Sequence, residues 1–247
     1  MTIKRHTGGG NLGYWSRDRV AFFEFMQNLG VPRKADMLTV MSSILPFKKA
    51  QPRILEIGGG TGAFTKMIFR KYPRASLVFA DGSPDMLRTA EKRLRRYKGR
   101  LTFLERDIND PGWHGGIRGS FDAVVSSWCL HYLSDGRQKP FFRETYGLLR
   151  PGGMFLFSCS VGTVSTRFLK LYNALEVARV KDCLLKQGME VTEAQIRAMA
   201  RTGHTKARIN PAPFEVYCRC IEEAGFCAWE CVWKYLFNAV FAACKGR

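Results

Sequence analysis

Residues Ile54 to Thr65 read ILEIGGGTGAFT. The apolar run Arg53 to Gly58 reads as a short buried strand, and Ala63 to Tyr72 reads as a helix. Between them lies a turn of alternate glycines, Gly58, Gly60 and Gly62, with Gly59 in the middle. Lacking Cβ, these residues admit positive φ and let the backbone press against a ligand beside a helix N-terminus. The spacing of Gly58, Gly60 and Ala63 also satisfies the G-x-G-x-x-A pattern of dinucleotide sites. The loop alone therefore leaves a dinucleotide, another ligand or a purely structural turn open.

Outward from this loop, strands and helices alternate. Ser76 to Asp81 reads as a second strand, and Ser83-Pro84 opens a helix to about Tyr97 as N-cap and first-turn proline. Leu101 to Arg106 and Phe121 to Ser127 read as strands. Lys139 to Leu149 reads as a helix closed by Pro151-Gly152-Gly153, and Met154 to Cys159 as a fifth strand. Strands apolar on both faces, separated by helices, predict a doubly wound α/β fold with a parallel sheet and ligands at the carboxyl ends of its strands. Residues 1–51 read as an N-terminal helical segment covering the site, with two helices between Tyr14 and Leu45 broken at Gly30-Val31-Pro32. Residues 52–247 read as the main domain.

The alternation stops after Cys159. Thr163 to Gln187 reads as a long amphipathic helix, and Thr192 with Gln195 as the capping box of another, ending near Gly203. A loop with Pro211 and Pro213 leads to a helix closed by Ala224-Gly225, then to strands at Cys227 to Trp233 and Leu236 to Ala243. Residues from about 162 to 212 are thus a helical insertion before the final strand pair, read here as a lid.

Three carboxylates stand at the ends of successive strands. Glu56 lies inside the first strand, where a buried charge is costly unless paired, so a cationic group in the ligand suits it better than a pyrophosphate. Asp81 ends the second strand, where a carboxylate can accept from both ribose hydroxyls. Asp107 follows the third strand, placed to accept from an exocyclic amine. Taken singly, Asp81 and Asp107 are also ordinary turn or cap residues.

With these residues in place, the chain from Pro52 to Cys159 resembles the class I S-adenosylmethionine (SAM)-dependent methyltransferases of the small-molecule type. The resemblance rests on ILEIGGGTG, on a D-x-S-x-x-M-L turn from Asp81 to Leu87, on FDAVVSSWCLHYL from Phe121, and on LLRPGGMFLFS from Leu148. It implies a Rossmann-like seven-stranded sheet whose last strand is antiparallel, with SAM as donor and S-adenosylhomocysteine as product. It also implies roles. Glu56 would hold the methionine amino group through water, and Gly58, Gly59, Gly60 and Gly62 would line the methionyl and ribose portion. Asp81, in its turn with Gly82 and Ser83, would bind the ribose. Met86 would pack on adenine, with Asp107 and Ile108 framing its edge, while Ser126 and Trp128 would touch the methionyl arm and the acceptor-pocket floor.

Methyl transfer from an activated sulfonium needs alignment more than bond activation, and a base only if the acceptor loses a proton. His131, just beyond the fourth strand, is the candidate base, with Tyr132 beside it. Tyr14, Trp15 and His204 are candidates for the acceptor pocket. Cys218, Cys220, Cys227 and Cys231 lack zinc-ligand spacing, so no metal is expected, and Cys129 reads as a small hydrophobe.

The net charge of +18 is the unusual bulk feature. It is compatible with an anionic acceptor, an acidic carrier protein or nucleic acid, and equally with a solvated basic face. Arg167, Lys170, Arg179, Lys181, Arg197 and Arg201 fall in the insertion, as do Lys206 and Arg208. The leading reading is a methyltransferase for a small-molecule biosynthetic acceptor, anionic or carrier-bound. Against an RNA or DNA methyltransferase, Ser126-Ser127-Trp128-Cys129 occupies the place of the D/N-P-P-Y/F/W signature of base-amine enzymes. A non-catalytic or variant SAM-binding protein and an NAD oxidoreductase are the remaining alternatives. Eight cysteines without an export signal point to a reducing cytoplasm, and no apolar run approaches the ~20 residues that span a bilayer. A homodimer is allowed for.

Overall fold

The computed structural model describes residues 20, 27, 29, 31–45, 47, 51–207 and 209–247, with the backbone alone at 203–207. Five strands follow the sequence reading: β1 (Arg53–Ile57), β2 (Ser76–Asp81), β3 (Leu101–Glu105), β4 (Phe121–Ser127) and β5 (Leu149–Ser160). The closing pair is β6 (Ala228–Tyr235) and β7 (Asn238–Cys244). All seven join one sheet in the order β3-β2-β1-β4-β5-β7-β6. The first five pair in parallel, while β7 runs antiparallel to both β5 and β6.

Period-two alternation sends side chains to two cores. Leu55, Ile57, Val124, Phe155 and Phe157 meet one helical layer, α4 (Gln138–Leu148) and α7 (Phe214–Glu223), through Phe141, Phe142, Tyr217 and Ile221. Ile54, Phe79, Ala123 and Val125 meet the other, α1 (Lys34–Ile44), α2 (Ala63–Lys71) and α3 (Pro84–Arg93), through Met37, Met41, Ile68, Leu87 and Ala90.

Among the boundaries that differ from the sequence reading, two have a clear local reason. The helix after Ser83, whose hydroxyl accepts from the Met86 amide, ends at Arg93 and tightens into a 3-10 turn over Arg95–Arg100. That turn lays Tyr97 flat on Phe69, with ring centroids 4.2 Å apart. At the other boundary, Pro151-Gly152-Gly153 lies inside β5 rather than closing α4. Leu149 already pairs with Phe121, and the register shifts before Met154 meets Ala123. A Cβ on Gly153 would lie 2.9 Å from the Arg150 carbonyl oxygen, so glycine is required at this bulge.

The insertion is a helical pair, α5 (Thr166–Leu185) and α6 (Glu193–Ala207). The capping box forms as expected: Gln195 Oε1 accepts from the Thr192 amide, and the Gln195 amide donates to Thr192 Oγ1. The pair has its own small core of Val177, Leu184 and Ile196 with Leu29. Its two ends meet, with the Gly162 amide donating to Ala212 O at 2.7 Å and Gly162 bridging to Pro213. Among the described residues, no helix is long and apolar enough to cross a membrane.

Candidate active site

The glycine turn after β1 takes the conformations its sequence allows: φ is +64° at Gly58, +57° at Gly60 and +80° at Gly62. Space demands glycine as well, since a Cβ on Gly58 would lie 2.2 Å from Cys129 Sγ and one on Gly59 2.3 Å from the Phe79 ring. Asp81 fastens the turn from the neighbouring strand. Its Oδ2 accepts from the Gly60 amide at 2.8 Å and its Oδ1 from the Ser83 amide at 2.8 Å. Each oxygen keeps a second lone pair for a ligand hydroxyl.

Glu56 alternates with Leu55 and Ile57, so it points to the α2 side, where Thr65 Oγ1 donates to its Oε2. Its Oε1 is buried with no hydrogen-bond partner among the described residues. Burial pushes the Glu56 carboxyl up from 4.5 to about 8, against the Thr65 bond and with help from the charge of Asp81. Burial likewise raises Asp81 from 3.8 to about 6, against the bonds from Ser83 and Gly60. A fully buried carboxylate oxygen beside a glycine-rich turn suits an ammonium group and would repel a pyrophosphate.

Met86, in the first turn of α3, and Ile108, in the loop after β3, are buried. Asp107 Oδ1 accepts from the Asn109 amide. Two features escaped the sequence reading because each links distant residues. Asn109 donates to Tyr132 O and accepts from the Ser134 amide, tying the loop after β3 to the loop after β4. Arg137 makes a two-pronged bond to Glu144 at 3.0 and 2.7 Å, Trp113 Nε1 donates to the same carboxylate at 2.6 Å, and Arg137 Nε reaches Ile108 O. This network holds the Ile108 loop from behind.

At the end of β4, Trp128 adopts φ +59°, a strained conformation for a bulky side chain, fixed by its amide donating to Ser158 O at 2.9 Å. His131 is fully buried, its ring 5.1 Å from that of Trp128 and 4.5 Å from that of Tyr132. The Ser160 amide donates to His131 Nδ1 at 3.4 Å, which places the proton of the neutral ring on Nε2. Asn210, at the return of the insertion, donates from its amide to His131 O at 2.7 Å and from its side chain to Asp135 at 2.8 Å. The insertion is thereby anchored to the turn that carries His131. Ser126 is buried beside Cys129, whose thiol burial pushes well above its ordinary range. Tyr14, Trp15 and the side chain of His204 lie outside the described residues. Among the described residues, no group of three or more metal-ligating side chains gathers.

A family model described as a methyltransferase domain matches residues 54–153. Malonyl-[acyl-carrier protein] O-methyltransferase of Paenibacillus sp. (strain JDR-2) is 36% identical over 113 residues, covering 45% of this chain and 40% of the relative. An O-methyltransferase family protein from Burkholderia thailandensis superposes with a TM-score of 0.67 at 19% identity, over 95% of this chain and 61% of its own. Human N-acetylserotonin methyltransferase, solved in complex with SAM, superposes at 0.58 and 19% identity, over 95% of this chain and 58% of its own. The chain thus spans less than two thirds of the length of each of these proteins. The matched segment runs from β1 into β5 and contains the glycine turn, Glu56 and Asp81, and the unpartnered Glu56 oxygen fits the amino group that SAM carries. Residues 54–153 therefore match a methyltransferase domain, set in a fold shared with SAM-dependent methyltransferases.

Proposed function

We propose that the protein transfers the methyl group of SAM to a small acidic acceptor held on a carrier protein. The observation that carries the donor half of this reading is the buried Glu56 oxygen without a partner among the described residues, two residues before a turn whose Gly58 and Gly59 have no room for a side chain. Glu56 holds the ammonium, directly or through water. Asp81 takes the ribose hydroxyls, and Met86, Asp107 and Ile108 frame the adenine. Ser126 and Trp128 line the methionyl arm.

Bound SAM supplies an electrophilic methyl group; the chain supplies alignment and a dry pocket. Alignment alone is worth roughly 7–11 kcal/mol in favourable cases. His131, with its proton on Nε2, acts as a hydrogen-bond donor to the acceptor. Serving as a base would require the ring to release the Ser160 amide first. The acceptor class is supported by the name of the malonyl-carrier relative and by the +18 charge. The protein works in the reducing cytoplasm, in keeping with eight cysteines that are all free.

Calorimetric titration with SAM and with NADH, repeated on Asp81→Ala, tests the donor assignment. Micromolar SAM binding lost in the variant, without a response to NADH, is expected; NADH binding in its place would overturn the reading. An RNA acceptor is the second reading, favoured by a groove of about 650 Å³ between α2 and α3 lined by Lys66, Arg70, Arg93 and Arg96. It requires tRNA binding that weakens steeply with salt.

A further inference from the structure

Helix α5 presents large apolar side chains to solvent near its N-terminus. Val164 just before it, then Phe168, Leu171 and Leu175, are 75, 50, 50 and 47% exposed. Their spacing of four, three and four residues stacks them in one stripe, on the side away from the small core at Val177 and Leu184. An apolar stripe of this kind marks a surface that another molecule covers.

The borders of the stripe indicate what covers it. Arg167 and Lys170, both exposed, line one side. On the other side Tyr172 packs against Phe237, and the exposed Lys234 lies 5.5 Å over the Tyr172 ring. The first acid of the helix, Glu176, is engaged by Arg179 at 2.7 Å. Farther along, Asp182 is likewise paired, with Lys186 at 2.7 Å. A second copy of this chain would bring a like set of cations against the first, on a molecule of charge +18. An amphipathic helix with an apolar centre and acidic borders is the complement. The location suits delivery. Ser160, whose amide bonds His131, is four residues before Val164, so a partner on α5 sits beside the rim where an acceptor enters.

We infer that the N-terminal half of α5, together with Lys234, is the docking face for an acidic carrier protein that delivers the acceptor. The inference rests on the carrier-bound reading above, and two kinds of probe separate the two. Malonyl-loaded acyl carrier protein reports docking through binding and methylation; the same malonyl thioester on free pantetheine reports chemistry without docking. The full-length protein is compared with Arg167→Glu/Lys170→Glu and with Phe168→Ser.

Salt-sensitive binding of the loaded carrier is expected, weakened about tenfold or more in both variants, with SAM affinity and methylation of the free thioester unchanged. Absence of carrier binding by the wild-type protein, or equal binding by the variants, would overturn the docking face. So would a wild-type dimer that Phe168→Ser converts to monomer, or tRNA binding in place of the carrier that the charge reversals abolish. Methylation of the free thioester without carrier binding would remove the docking face and leave the acceptor standing. Carrier binding lost in the variants, with neither thioester methylated, would keep the docking face and remove malonyl as acceptor.

Discussion

The corner where the glycine turn meets Asp81 and the helical pair inserted after β5 stand at opposite ends of structural constraint. In the corner, a single added carbon on Gly58 would lie 2.2 Å from Cys129 Sγ, and both oxygens of Asp81 are already bonded to backbone amides. In the insertion, the core is a handful of side chains around Val177, Leu184 and Ile196, and α5 leaves Phe168, Leu171 and Leu175 half in water. One region is shaped around a fixed ligand and tolerates no change of volume. The other is held at its two ends and by one small cluster, and leaves its outer face free to meet a partner. On the reading proposed above, binding the donor and choosing the acceptor fall to different parts of the chain.

The sharpest way to break this contrast is Gly58→Ala. A non-glycine residue at φ +64° costs about 1–2 kcal/mol before the clash with Cys129 is counted. Calorimetry should find SAM binding abolished, and thermal melting a clear loss of stability. Undiminished binding would mean the corner is far more pliable than its geometry implies. Asp81→Asn keeps the shape but sets an NH2 donor against one of the two backbone amides, so SAM affinity should fall about 10- to 100-fold.

The pH dependence of folding sharpens the same point. The folded pKa values of Glu56 and Asp81 lie above their ordinary ones, so the folded state binds extra protons between about 4 and 8. Their contribution to stability is complete at low pH and is lost as pH rises through about 6 for Asp81 and about 8 for Glu56. Denaturant titrations of the ligand-free protein should show Glu56→Gln losing the decline that runs from about pH 4.5 to about 8. By the same linkage, SAM binding at pH 7 should release a proton, seen as a buffer-dependent binding heat. A decline identical in the variant and the wild-type protein would refute the assignment.

In the insertion, Val177→Ala should cost about 1–2 kcal/mol locally. Hydrogen exchange should speed up across α5 and α6 while β1 and β4 stay protected and SAM affinity holds. Leu175→Gln, on the exposed side, should change stability by no more than about 0.5 kcal/mol. A large effect there would mean the stripe is packed in the free protein.

The sheet was legible because strand periodicity, the glycine turn and the Ser83-Pro84 cap are all written within a few neighbouring residues. The seven-stranded sheet with its antiparallel last strand came with the family resemblance, and the structure bears it out; the order of the strands came from the structure alone. Asp81 and Glu56 were legible because a carboxylate in or at the end of an apolar strand needs a reason to be there. The Arg137–Glu144–Trp113 network and the Asn109 and Asn210 ties were not, since each joins segments that only the folded chain brings together. The tautomer of His131 depends on Ser160 in the next strand of the sheet, so its sequence neighbours carry no sign of it. The bulge at Pro151-Gly152-Gly153 misled for a related reason. Proline followed by two glycines is the usual punctuation after a helix, and only pairing with Phe121 shows β5 already under way.

The insertion begins after Gly162 and ends before Pro213, and those two residues bridge each other. A detour whose ends already touch costs the remaining fold little when its length or content changes, because the closure is made by the scaffold. An ancestral exchange of this segment could redirect the enzyme to a new acceptor in one step, leaving the sheet intact. By the same logic, a chimera in which residues 163–212 come from a relative should keep its grip on SAM and inherit its choice of acceptor from the donor of the graft.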